Sequence, residues 1–364
     1  MANRTRRVER HAYEPDYVTE PGAILQETID SLGMTQKELA KRTGYTAKHI
    51  NLLINGKARI THDAAMRLEK VTQVPARFWN NLESNYQEQK ARIEATERAK
   101  DDVDWLKEIP FNELVKRGIV EPQRDKVAKV ESALSFFGVA SVDAWRSGWT
   151  KTQLAFRKAA GAEKMTGKIA TWVRLAEIEA ESVESATFDE RRFRKALKTI
   201  RGLTTLEPED FVERMRDLCS EAGVAFIPVP ELPGSRVSGA ARWLSPDKAM
   251  IAVNLRGKSN DKFWFTFFHE AGHILNDDRD EVFVDVDYAD DPREVRANRF
   301  AAEFLIPSKY EPQLRVLKSK AVVREFAGRI GIHPGIVVGR LRHEKVIPYT
   351  QMHELVGKLD WIEE

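Results

Sequence analysis

The stretch Phe263-Trp264-Phe265-Thr266-Phe267-Phe268-His269-Glu270-Ala271-Gly272-His273-Ile274-Leu275 decides how the C-terminal half of this 364-residue chain is read. It contains His-Glu-x-x-His. On a helix, residues four apart share a face, so His269 and His273 can both point at one metal ion. Imidazole nitrogens bind zinc at about 2.0–2.1 Å, and the i, i+4 spacing meets that reach without bending the helix. Glu270 lies beside the metal rather than on it. There it can take a proton from water that the metal has acidified towards a pKa of about 7. The aromatic run ahead of His269 buries the helix and stiffens the ligands.

An active zinc site of this kind needs a third protein ligand and an open fourth position. Downstream lies Arg293-Glu294-Val295-Arg296-Ala297-Asn298-Arg299-Phe300-Ala301-Ala302-Glu303-Phe304-Leu305-Ile306-Pro307. Ala297, Phe300, Ala301, Phe304 and Leu305 recur at helical spacing, and Pro307 stops the helix. Glu294 is the preferred third ligand. Asn298 shares its face and can hydrogen-bond a ligating imidazole from behind. Glu303 is the rival ligand, late in the helix beside Phe304. Asp277 and Asp278 rank below Glu294, because a loop holds geometry less well than a helix.

His-Glu-Ala-Gly-His, followed by Glu-x-x-Ala-Asn-x-Phe-Ala-Ala-Glu-x-Leu-x-Pro, resembles the ImmA/IrrE metallopeptidases over roughly residues 200–345. The resemblance implies that His269, His273 and Glu294 bind one zinc per chain and that Glu270 is the catalytic base. It also implies a protein substrate, a helix-turn-helix repressor or antitoxin. Manganese is a second metal that such a ligand set accepts.

Composition sets limits. The chain is 42% hydrophobic and 31% charged, with a net charge of +2, so any nucleic-acid footprint must be local. The single Cys219 excludes an intrachain disulfide and a cysteine-based zinc site, and fits a reducing cytoplasm. The basic start Met1-Ala2-Asn3-Arg4-Thr5-Arg6-Arg7 is followed by no apolar core of a signal peptide, and no run approaches a membrane span.

Residues 1–20 read as a tail. From Pro21, Ile24, Leu25, Ile29 and Leu32 recur at helical spacing. Thr35 caps a second helix, where Glu38 completes a capping box, and Gly44 supplies a tight turn. Thr46 caps a third helix that ends at Asn55-Gly56. Two short helices joined through a glycine turn are the layout of a helix-turn-helix. The second helix would present Thr46, Ala47, Lys48 and His49 to the major groove, with Asn51 one turn on. Lys37, Lys57 and Arg59 suit phosphate contacts, and Gln36 suits either role. Lys37, Lys41, Arg42, Lys48, Lys57 and Arg59 stand against Glu38 alone, a local positive patch.

Pro-Gly-x-Ile-Leu-x-Glu, Leu-Ala-x-Arg-x-Gly, Ile-Asn-x-x-Ile-Asn-Gly-Lys, Ala-x-Arg-Leu and Phe-Trp-x-x-Leu resemble the HigA-like antitoxins of the XRE repressor class over residues 21–90. The resemblance implies homodimers on a double-stranded DNA operator, and a toxin as a further partner. Phe78, Trp79, Leu82 and Tyr86 would form either a dimer face or plain core.

Residues 89–187 read as a charged, helical linker region, in which Trp145, Trp149 and Trp172 suit buried packing more than a ligand groove. Val224–Val229, Ser238–Trp243 and Lys248–Asn254 read as strands, with Ser245-Pro246-Asp247 turning between the last two. Ala240–Trp243 is expected to be an edge strand that holds substrate backbone. The acidic stretch Asp277–Asp291 reads as a solvated loop, or as a selector of basic substrate. His333, Arg340 and His343 are candidates for stabilising an oxyanion, against a surface or core role.

The expected fold is mainly α and α+β overall. It has an all-α helix-turn-helix domain at 21–88, the helical middle region, and a zincin-like metallopeptidase domain with a small β-sheet at 188–364. Two functions fit: a zinc endopeptidase fused to a DNA-binding regulator, or an antitoxin-like regulator whose peptidase-like domain only senses a ligand or partner.

Overall fold

A computed structural model describes residues 19–156, 162–254, 259–279, 282–285 and 291–359. They fall into two compact units that divide between Asp102 and Val103. Of the expected tail at residues 1–20, residues 1–18 lie outside the described residues. Among the described residues, no helix is long and apolar enough to cross a membrane.

Among the described residues, the first unit is all helix: α1 (Pro21–Ser31), α2 (Gln36–Thr43), α3 (Ala47–Ile54), α4 (His62–Thr72) and α5 (Ala76–Asp101). Threonines start three of these helices. Thr35 accepts from Glu38 N, Thr46 from His49 N and Thr61 from Ala64 N, each satisfying one orphan donor of a first turn. The capping box at α2 is half formed, because Glu38 gives its carboxylate to Arg42 at 2.7 Å instead of reaching back. Gly44 closes α2 at φ +75°, a conformation that costs a residue with a Cβ. Leu25, Ile29, Leu39, Ile50, Leu53, Leu68 and Trp79 bury against one another as the core. The expected boundary at residue 88 falls inside α5, which runs on unbroken to Asp101.

The second unit begins with α6 (Phe111–Lys116), α7 (Lys126–Phe137), α8 (Val142–Phe156), α9 (Ala162–Ser182), α10 (Glu190–Leu203) and α11 (Pro208–Ser220). It continues with β1 (Val224–Pro228), β2 (Gly239–Ser245), β3 (Lys248–Val253), α12 (Asn260–Asn276), β4 (Val282–Asp285) and α13 (Pro292–Leu305). It closes with α14 (Glu311–Leu314), α15 (Lys320–Ile330) and α16 (Pro334–His343).

The four strands form one sheet in the order β1-β3-β2-β4. β1 and β3 run parallel, whereas β2 is antiparallel to both β3 and β4. Successive side chains in a strand point to opposite faces, and here both faces are covered. Phe226, Ala241, Ile251 and Val253 turn to the layer holding α10, α11 and α12. Ala225, Ile227, Ala240, Met250 and Ala252 turn to α9, which offers Ile169, Trp172, Val173, Ala176 and Ala180. Double burial explains why β1 and β3 read as continuous apolar runs rather than alternating ones.

Two expectations change. The segment around α9 is not a link between domains but one outer layer of the sheet, since its apolar stripe packs on the strands. Ala240–Trp243 is not an edge, because β4 pairs along it, with Ala240 opposite Val284 and Arg242 opposite Val282. Trp145 and Trp172 are buried, and Trp145 packs with Trp105 and Phe137 in an aromatic cluster.

Trp172 fills the space under the sheet and donates its indole N–H to Pro230 O at 3.2 Å. Trp172→Ala is expected to destabilise the second unit by about 3–5 kcal/mol in denaturant unfolding followed by circular dichroism. A loss under about 1 kcal/mol would mean that α9 is dispensable to the sheet.

Candidate metal centre and nucleic-acid surface

α12 is buried along most of its length, as the aromatic run requires: Phe263, Trp264, Phe267, Phe268 and Ala271 all sit in the core. Its one glycine has a specific purpose. A Cβ on Gly272 would meet Ala297 Cα at 3.3 Å and Phe300 Cδ1 at 3.2 Å, so glycine here lets α13 lie close against α12. That approach carries Glu294 to the histidines.

His269 and His273 face each other with their Nε2 atoms 3.1 Å apart. Glu294 completes the triangle, with Oε2 at 3.0 Å from His269 Nε2 and Oε1 at 3.5 Å from His273 Nε2. Two donors that sit about 2.0–2.1 Å from one ion in tetrahedral directions lie about 3.3 Å apart, so these three fit a zinc ion. Among the described residues, this is the one group of histidine, cysteine or carboxylate ligands that converges within 4.8 Å.

The outer nitrogens are held as well. His269 Nδ1 lies 3.1 Å from Asn298 Oδ1, and His273 Nδ1 lies 2.8 Å from Asp277 Oδ2. Donation from Nδ1 to these oxygens leaves each Nε2 lone pair facing inward, the tautomer that a metal needs. Arg296 pairs with the other oxygen of Asp277. Phe283 of β4 stacks on the His273 ring, with centroids 4.4 Å apart and planes 9° from parallel. Burial raises the Glu294 carboxyl, but hydrogen bonds to His269 and His273 outweigh it and hold it down to about 2. Glu294 is therefore an anion at neutral pH, as a ligand should be.

Glu270 is fully buried on the same helix. β2 opens on a glycine where this side chain passes: a Cβ on Gly239 would lie 2.6 Å from Glu270 Oε1 and 2.5 Å from Thr266 Cγ2. Gly239 thus leaves the space that Glu270 occupies.

The rival ligands have other work. Glu303 accepts from Ser308 N at 2.9 Å, outside the cluster. Asp277 stands behind His273 rather than beside the ion, and Asp278 is exposed. Asp291 caps α13 by accepting from Arg293 N at 2.8 Å. Asp280, Glu281, Asp287 and Asp290 lie outside the described residues. The oxyanion candidates do not join the cluster: His333 caps α16, Arg340 pairs with Glu344 and Glu311, and His343 is exposed. Sequence reasoning missed Asp277 as a support, although it follows His273 by four residues on the ligand side of the helix.

In the first unit, α3 exposes Ala47, Lys48 and Asn51, and Thr46 is exposed at its cap. His49 is half-buried against Tyr45, with ring centroids 4.6 Å apart. Lys37, Lys57 and Arg59 are exposed, whereas Gln36 is half-buried and donates to Gln26 at 2.8 Å. Tyr45 and Arg67 were not expected. Arg67 lies over the Tyr45 ring at 5.0 Å and donates to Thr43 O at 3.0 Å, which ties the turn before α3 to α4. Phe78 and Trp79 part company: Trp79 is buried, and Phe78 is 45% exposed.

A helix-turn-helix unit and a unit with a buried His-His-Glu cluster define a two-part chain, one part of a DNA-binding type and the other of a metallopeptidase type. Residues 25–79 match the helix-turn-helix family, and residues 222–342 match the peptidase family M78, described as the IrrE N-terminal-like domain. A curated relative is the uncharacterized HTH-type transcriptional regulator YddM of Escherichia coli (strain K12), 31% identical over 64 residues, which are 18% of this chain and 68% of the relative. Through its first unit the chain belongs to the helix-turn-helix regulators, and its second unit carries an IrrE-like peptidase domain. Among solved structures, an addiction module antidote protein of the HigA family from Coxiella burnetii is 30% identical. That match covers 23% of this chain and 91% of that one, with a TM-score of 0.22. The Pseudomonas aeruginosa antitoxin HigA, solved with the higBA promoter, is 29% identical over 21% of this chain and 83% of that one, with a TM-score of 0.20.

Competition against a chromogenic chelator tests the roles of the acids around the cluster. Asp277→Ala is expected to lower zinc affinity about 10–100-fold, by releasing the His273 ring, while Glu303→Ala leaves it unchanged. Equal losses in the two variants would contradict this arrangement.

Proposed function

We propose that this chain is a DNA-binding transcriptional regulator whose second unit is a zinc-dependent endopeptidase. Its substrate is a helix-turn-helix repressor or antitoxin protein, in another chain or in itself. The observation that carries this reading is the triangle of His269, His273 and Glu294, with Glu270 buried on the same helix. His269, His273 and Glu294 would hold one zinc ion per chain. When bound, zinc supplies Lewis acidity, which activates water at neutral pH and polarises a carbonyl.

The chain's own groups do the rest. Glu270 accepts the proton of the attacking water at a carboxylate oxygen. As the peptide C–N bond breaks, Glu270 returns that proton to the leaving nitrogen. Asn298 and Asp277 hold the two imidazoles in one tautomer, and Phe283 shields the His273 face from water.

The first unit reads an operator. Ala47, Lys48, His49 and Asn51 face the base edges, with Thr46 at the cap, while Lys37, Lys57 and Arg59 hold phosphates. Gln36, bonded to Gln26, buttresses this surface from the start of α2. Phe78, Leu82 and Tyr86, spaced four apart on α5, offer a partly exposed apolar face for a homodimer. A toxin is a further candidate partner of this antitoxin-like unit. DNA binding implies a cytoplasmic chain.

One observation favours the second reading, a domain that senses a ligand and cuts nothing. β4 occupies the strand edge of β2 and covers His273, so a substrate strand cannot add to β2 directly.

Two variants test the two units separately. Glu270→Gln is expected to retain zinc and to lower hydrolysis of a repressor substrate at least about 100-fold, with operator affinity unchanged. Lys48→Ala is expected to weaken binding to a duplex selected from random sequence by about 1–3 kcal/mol. Cleavage at the wild-type rate in Glu270→Gln removes the mechanism, and unchanged affinity in Lys48→Ala displaces the recognition helix.

A further inference from the structure

The second unit has a concavity apart from the metal cluster. α10, α13 and the end of α12 border an open groove of about 570 Å³ lined by Lys198, Arg201, Arg296, Arg299, Phe300 and Phe304. On α13 it lies away from the ligands, since Arg296 follows Glu294 by two residues, about 200° around the helix.

Its charge is one-sided. Four cations and one acid, Glu303, line it, and the Glu303 carboxylate already accepts from Ser308 N at 2.9 Å and Ser308 Oγ at 3.4 Å. Lys198 and Arg299 form no ion pair among the described residues. Arg201 is half-buried and bonds only carbonyls: Phe304 O at 3.0 Å, Leu305 O at 2.8 Å and Ile330 O at 2.9 Å. These are the carbonyl ends of α13 and α15, whose partial negative charge holds the guanidinium in place at the edge of the groove. Arg296 shares Asp277 with His273.

The floor is apolar. Phe304 stacks on Phe268 with centroids 4.9 Å apart, and Phe300 lies beside it at 5.5 Å. Aromatic faces held this way give a flat surface next to the cations. The volume lies within the range of about 300–1,000 Å³ usual for small-molecule sites.

We propose that this groove binds a small organic anion, a phosphate or carboxylate carried on a flat apolar body. Clustered fixed cations raise the local concentration of anions and orient the charged end. Phe300, Phe304 and Pro307 take the apolar body. Inorganic phosphate satisfies only the first half of this chemistry, and a neutral aromatic only the second. The site does not rest on peptidase activity.

The test is isothermal titration of the full chain with phenyl phosphate, inorganic phosphate and phenol. Phenyl phosphate is expected to bind at least about tenfold more tightly than either of the others. The double variant Lys198→Glu/Arg299→Glu changes two exposed side chains and keeps the fold. It is expected to lose at least about tenfold in phenyl phosphate affinity. No binding of phenyl phosphate at millimolar concentration overturns the proposal. So does binding that survives the double variant, which places the ligand elsewhere, the metal included. Equal affinity for phenyl phosphate and inorganic phosphate overturns the apolar half, and with it the ligand class.

Discussion

The second unit depends on how closely α12 and α13 approach at Gly272. A Cβ there would press on Phe300 and Ala297, so α13 would give by a few tenths of an ångström and carry Glu294 with it. The rest of the unit supports that contact. The sheet backs α12 from one side, and Gly239 clears the space for Glu270. Placing polar groups in this dry region is costly unless each is partnered. Asn298, Asp277 and Glu294 supply partners to both imidazoles and fix them with their inner nitrogens converging.

The same economy governs the first unit on a smaller scale. Its first four helices are short and marginal by themselves, so threonine caps, a glycine turn and one shared apolar core decide the geometry. The core faces of α2 and α3 are consumed by packing. What remains exposed on α3 is the polar face that carries Lys48 and Asn51. Arg67 and Tyr45 lock the turn that aims this helix, a role settled by contacts across 24 residues of sequence.

Much of this was legible in the sequence, because local rules govern it. The i, i+4 histidines, the Glu294–Asn298 pair on one helical face, the threonine caps and the β2–β3 turn all lie within a few residues of one another. Long-range pairing was not legible. β4 is four residues within an acidic stretch, and only its partner β2 makes it a strand. The apolar stripe of α9 announces a buried helix but not what buries it, so its place under the sheet could not be read. Asp277 looked like one acid among many, until the fold set it behind His273. Phe78 and Trp79 are neighbours in sequence, about 100° apart on a helix, and tertiary packing alone buries one and exposes the other.

The proposed function turns on His269, His273 and Glu294 holding a metal ion. Elemental analysis of protein purified without added metal, for the wild type and His273→Ala, tests it most directly. About one zinc per wild-type chain and almost none in the variant are expected. A folded wild type that carries no zinc, even after incubation with it, or a variant that keeps as much as the wild type, would contradict the account.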